Sequence, residues 1–127
     1  MNSGKITFKK TDWGDGNINF ELAEFDDTTL VMDNSIFGKG ELSFNHSKIT
    51  IISLKSCHLD YYVALRVNEC EFMDLSDTIV RDILDLKPHK TPVRIKELNF
   101  SNLRLIGRIF IDWKENTEQI ERKVRGY

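Results

Sequence analysis

Two cysteines and two prolines in 127 residues set the first limits on this chain. A pair of thiols is too few for a disulfide framework, and Cys57 and Cys70 lack the close paired spacing of a zinc site, so both read as small buried hydrophobes. The prolines are confined to one stretch, KPHKTP, where Pro88 and Pro92 mark a loop or an edge and leave the rest of the chain free to pair as strands. Tight two-residue hairpin signals are nearly absent, which argues against an antiparallel sandwich. No apolar run approaches the roughly 18 residues of a membrane span, and MNSGKITFKKTDWG has no continuous apolar segment behind its lysines. No membrane span and no secretory signal are expected, and a cytoplasmic location is the default. Chemistry-bearing motifs are scarce too. His46, His58 and His89 fall at outward or loop positions without a Cys, His or carboxylate at ligand spacing, so neither metal nor cofactor is expected. A phosphate-cradling glycine loop, a nucleophile elbow and an HExxH helix are all missing from the sequence, which predicts a protein that is not an enzyme.

The length suits one domain with its own core. A formal charge of −2 conceals a gradient. Residues 1–59 carry six basic and eight acidic side chains, residues 60–86 two and seven, and residues 87–127 ten and five. The basic C-terminal third suits an acidic partner, and the acidic middle suits a solvated face.

What the chain has in quantity is repetition. Leu42, Phe44, Ser47 and Ile49 form one unit, in which two apolar residues sit two apart and a step of three leads to a small residue and then another apolar one. Ile52, Leu54, Cys57 and Leu59 form the next, and the same unit is met at Ile6, Ile18, Leu30, Leu65 and Met73, always with Thr, Ala, Ser or Cys in the third slot. Leu84 and Leu86 begin a unit that dissolves into the proline stretch. Leu98, Phe100, Leu103 and Leu105 restore it with a large residue in the small slot, and Ile109 and Ile111 start a last one ending at Trp113.

Side chains two apart point to one face of a strand, so a step of three between two inward pairs requires a corner. Asn34, Asn45, Ser56, Asn68 and Ser76 lie at or near these corners, where turn-forming polar residues belong. Each unit is then two sides of a wound coil. Stacking at about 4.8 Å places Phe25, Ile49 and Phe72 in one interior column and Phe37, Leu59 and Val80 in another. Ala23, Ser47 and Cys70, and likewise Ser35, Cys57 and Thr78, form companion columns where the interior is narrow.

VMDNSIF, SFNHSKI, SLKSCHL, RVNECEF and DLSDTIV resemble the pentapeptide-repeat proteins, whose units carry a small residue two positions before a central Leu or Phe. The resemblance covers Ile18 to Val80 and extends weakly to Trp113. It implies an all-β chain wound as a right-handed parallel β-helix, here of about four to five coils. It also implies dimerisation through a capped end and, for some members, mimicry of DNA in binding gyrase. The copies here carry extra residues between the family's five-residue steps.

The solenoid is expected over residues 1–113 and a short helical cap or tail over 114–127, with Asn116 as N-cap, Gln119 in the first turn, and Ile120 and Val124 facing the coil. The function expected is a non-enzymatic scaffold for protein–protein interaction, with a protein partner or a second copy held at the C-terminal end. Arg94, Lys96, Arg104, Arg108, Trp113, Ile120 and Val124 are the candidate partner-binding residues. The same arginines and lysine beside Trp113 would suit single-stranded nucleic acid, but the aromatics fall mostly in inward slots, so nucleic acid is not expected. Two alternatives are a gyrase-binding DNA mimic and a carbohydrate-active β-helix enzyme. The latter would use paired carboxylates among Glu69, Glu71, Asp74 and Asp77.

Overall fold

The computed structural model describes residues 4–87 and 93–110. Its strands are β1 (Gly4–Thr7), β2 (Ile18–Asn19), β3 (Glu24–Val31), β4 (Ile36–Phe37), β5 (Leu42–Ser43), β6 (Lys48–Ser53), β7 (His58–Leu59), β8 (Tyr62–Ala64), β9 (Cys70–Asp74), β10 (Ile79–Val80), β11 (Ile83–Asp85), β12 (Ile95–Asn99), β13 (Arg104–Leu105) and β14 (Arg108–Phe110). They stack in three parallel sheets, β1-β3-β6-β9-β12, β4-β7-β10-β13 and β2-β5-β8-β11-β14. The chain is an all-β solenoid of about four turns, with no helix among the described residues. Ile6, Leu30, Ile52, Met73 and Leu98 lie in register one above another, so successive turns take 24, 22, 21 and 25 residues. The expected helix at 114–127 lies outside the described residues.

Each turn has four sides, because the long strands of the first sheet bend. In β6 the buried Ile49 and Ile52 are separated by two partly exposed residues, a break in alternation that strand geometry allows only at a corner. Cys70 and Met73 in β9, and Ile95 and Leu98 in β12, repeat it. In order along a turn, the first side holds the Leu30 column, the second the Phe37 column and the third the Leu42 column. The fourth holds Phe25, Ile49, Cys70 and Ile95.

Polar corner residues allow the winding. Lys10, Asn34, Ser56, Asp77 and Asn102 have φ between 55° and 58°, the left-handed region that Asn and Asp tolerate best. Leu22 adopts φ 61° and is 73% exposed, so it bears the conformational cost with no burial in return. Leu22→Asn is therefore expected to raise stability by about 0.5–1 kcal/mol, a rise of a few degrees in Tm by thermal unfolding.

The small slot is small and also hydrogen-bonding. Ser35 Oγ donates to Phe8 O (3.1 Å) and accepts from Thr11 N (3.2 Å) in the turn before. Thr78 Oγ1 donates to Leu54 O and accepts from Cys57 N, while Cys57 Sγ reaches Met32 O. A hydroxyl or thiol here satisfies corner backbone that the strand ladders leave unpaired. All of Ser35, Cys57 and Thr78 are at most 1% exposed.

The expected column of Phe37, Leu59 and Val80 is found, as is that of Ser35, Cys57 and Thr78. One unit is out of register. The corner after Phe44 closes with Ser47 N bonded to Phe44 O, whereas after Leu65 it closes one residue sooner, with Val67 N bonded to Leu65 O. Val67 thus fills the level expected of Cys70, and Cys70 sits below Ile49 in place of Phe72. Phe72 pairs with Ile51 on the outer surface and is only partly buried. The unit begun by Leu84 and Leu86 does not dissolve: Val93 (6% exposed) and Ile95 (2%) complete it beyond the proline stretch. Ile109 pairs with Leu84 on the third side, the side on which the units at Ile18, Leu42 and Leu84 also open, so the expected last unit begins there.

Candidate functional site

The shortened corner and the bends of β6, β9 and β12 leave a groove of about 790 Å³ on the fourth side. Phe25, Ile49, Cys70, Val93 and Ile95 lie beneath it and point into the core, all but the partly buried Phe25 being at most 6% exposed, and they alternate with charged residues that point outward. Strand register sets those charges in rows. Glu24, Lys48, Glu69 and Arg94 follow one another, one per turn, with alternating sign. Glu71 and Lys96 form a second, parallel row. Lys48 Nζ and Glu69 Oε2 are 3.7 Å apart with both side chains about half exposed, so the pair is screened and worth well under about 1 kcal/mol. These charges remain available to an incoming partner.

Of the basic residues singled out from sequence, the fold brings only Arg94 and Lys96 together, in this groove. Arg104 is on β13 of the second side and Arg108 on β14 of the third, both exposed. Trp113, Ile120, Val124 and His89 lie outside the described residues. The four carboxylates separate as well. Glu69 and Glu71 line the groove, but Asp74 is 7% exposed with its Oδ1 accepting from Ser76 N (2.9 Å), and Asp77 occupies a left-handed corner. Among the described residues, no group of three His, Cys, Asp or Glu side chains is placed to hold a metal ion. No described helix is long and apolar enough to cross a membrane.

The thiols are free and buried in separate columns, Cys57 beside the corner between the first and second sides and Cys70 beneath the groove. Burial pushes Cys57 up from 9.0 to about 11 and Cys70 to about 12, against backbone hydrogen bonds that act the other way. Thiolate is the reactive form. Both cysteines are therefore expected to resist alkylation in the native protein near neutral pH and to react fully once denatured; rapid modification of either in the native state, followed by mass spectrometry, would contradict this burial.

One cluster has no signal in the sequence. Asp85 stands on an outward position of β11 between Leu84 and Leu86, yet is only 3% exposed. Tyr62 and Arg66 lie over it: Arg66 Nη2 is 2.5 Å from Asp85 Oδ2, Tyr62 Oη donates to the same oxygen, and Arg66 Nε donates to Lys87 O (2.8 Å). Ala64 and Ser43, small residues in register on the neighbouring turns, leave room for the two long side chains. Burial, followed by the Asp85 hydrogen bond, pushes the Tyr62 phenol from 10.0 to about 12. None of the three lines the groove, and we read the cluster as a clasp across two turns of the third side.

No family model, no curated protein and no solved structure gives a match to this chain.

Proposed function

We propose that this protein is a non-enzymatic binding module that holds an extended segment of another protein along the groove of its fourth side. The observation that carries this reading is the groove's construction: two parallel rows of outward charges whose sign changes from one turn to the next. An extended polypeptide presents alternate side chains to such rows, and pairing of its acidic and basic residues with them supplies register and partner choice. Arg94 and Lys96 are then contact residues, joined by Lys48, Glu69 and Glu71.

The reading includes descent from the pentapeptide-repeat proteins, supported by four sides to a turn and by a small, hydrogen-bonding slot that recurs at the corners. A right-handed winding accords with the usual hand of parallel crossovers. Two free thiols support residence in a reducing compartment such as the cytoplasm. The alternation of sign gives no continuous acidic face of the kind that phosphate imitation needs, so the gyrase-directed reading draws no support from the groove. A carbohydrate-active reading draws on Glu69 and Glu71 sharing one groove. It forecasts turnover of a polysaccharide that is lost in Glu71→Gln.

A photo-cross-linking residue placed at Thr50 in the groove, and separately at Arg104 on the second side, tests the proposal. Adducts with one protein species from position 50 only, abolished by Lys48→Glu with Arg94→Glu, are expected. Equal adducts from both positions, or none from position 50, would overturn it.

A further inference from the structure

The two rows of groove charges alternate in sign from turn to turn, but within one turn the signs agree. Glu69 and Glu71 stand on either side of the inward Cys70, and Arg94 and Lys96 on either side of the inward Ile95 one turn below. Residues two apart on a strand point to the same side, about 6.6 Å from each other. β9 and β12 thus each carry a rung of two like charges, and the two rungs, opposite in sign, lie about 4.8 Å apart. All four side chains are exposed and all four line the groove.

Pairing within the solenoid does not use this arrangement. Register sets Glu69 over Arg94 and Glu71 over Lys96, so two ion pairs between turns are within reach of the side chains. Neither forms. Among the described residues, Lys48 with Glu69 is the ion pair in the groove, and Glu71, Arg94 and Lys96 take part in none. A charge that enters between two like charges of the other sign is held from both sides, so the β9 rung suits one basic side chain and the β12 rung one carboxylate. Uniform polymers fit neither way. A polyanion drawn to Arg94 and Lys96 meets Glu69 and Glu71 one turn on, and a polycation drawn to the glutamates meets the two cations.

Resting on the groove as a site for an extended segment, we propose that the segment it holds carries one acidic and one basic residue two positions apart. The carboxylate sits between Arg94 and Lys96, and the basic side chain sits between Glu69 and Glu71. Two positions is the spacing required, because side chains on one face of an extended chain recur about every 6.6 Å, and a flexible Lys or Arg stem spans the difference from the 4.8 Å between rungs. The acidic residue then lies toward the C-terminal end of the solenoid. Lys48, 3.7 Å from Glu69 and about half exposed, is the group that the incoming basic side chain displaces.

A displayed library of random short peptides, selected on the full-length protein, tests this. The selected peptides are expected to share an Asp or Glu two positions from a Lys or Arg. A synthetic peptide of this kind is expected to bind about tenfold more weakly to the Arg94→Glu, Lys96→Glu variant, and to regain that factor when its own acidic residue is replaced by Lys. Lys39→Glu with Lys55→Glu, exposed residues at corners away from the groove, is expected to change the affinity by less than about twofold. Selected peptides without the charge pair, while position 50 still gives its single adduct, overturn this proposal and leave the groove reading standing. A missing regain, or an equal loss in the Lys39 and Lys55 variant, overturns it in the same way. A library that yields no binder overturns it too, and if position 50 also gives no adduct the groove reading falls with it.

Discussion

Gly40→Ala is expected to destabilise the protein by about 3–5 kcal/mol, enough to lower Tm by ~10–20 °C in a domain of this size. The corner between the second and third sides is built twice on the same glycine spacing, WGDGN and FGKGE, and the two copies lie directly on one another. Gly16 N bonds to Lys39 O, and Asn17 Oδ1 receives Glu41 N. A Cβ at Gly40 would stand 2.2 Å from Gly16 O, and φ is +149°, a region essentially closed to residues with a Cβ. The clash is with backbone, so no rotamer relieves it. Gly4 provides the control. A Cβ there meets nothing within 4 Å, and Gly4→Ala is expected to change stability by no more than about 0.5 kcal/mol. Equal unfolding midpoints for the two variants would refute the close stacking of the glycine corners.

Those glycines illustrate what was legible. The interior of the solenoid is written in the sequence because each inward position repeats its chemistry from turn to turn. Leu30, Ile52 and Met73, or Phe37, Leu59 and Val80, can be lined up from spacing alone. The small slot was legible for the same reason, although narrowness is only part of its cause; at the corner between the first and second sides Ser35, Cys57 and Thr78 also bond backbone groups of the preceding turn. Register failed where a corner lost a residue. Val67 and Cys70 are both acceptable in an inward slot, so pattern matching had no means of choosing between them, and only the shorter turn closed by Val67 N and Leu65 O decides it.

Outward positions are a different matter. Their side chains answer to neighbours one turn away, about twenty residues distant in sequence, and no period relates them. Arg94 and Lys96 come together because they flank Ile95 at the start of β12. Arg104 and Arg108 were grouped with them by proximity in sequence, yet the chain turns a corner between each and the next. Glu69 and Lys48 became neighbours only through winding, and so did the three residues of the clasp on the third side.

That clasp carries the second large expectation. Asp85→Ala removes the acceptor shared by Tyr62 and Arg66 and leaves a guanidinium whose side chain is 14% exposed without its counter-charge. Breaking one partner of a buried pair costs about 3–5 kcal/mol. Asp85→Asn, which retains an acceptor for Tyr62 but not the charge, should cost less. Arg66→Met combined with Asp85→Leu should recover most of the loss, since apolar replacement of both members removes the desolvation cost along with the attraction. Proton linkage gives an independent readout. Tyr62 is raised from 10.0 to about 12 in the folded protein, so the unfolded chain releases this proton first. The stability it contributes is complete below about pH 10 and is lost as pH rises through about 12. Cys57 and Cys70, raised from 9.0 in the same sense, extend the fall to lower pH. Denaturant titrations should therefore show stability declining from about pH 9 upward, with a shallower decline in Tyr62→Phe. A decline of unchanged slope in that variant would mean that Asp85 does not hold the phenol, and that the three side chains are neighbours without being coupled.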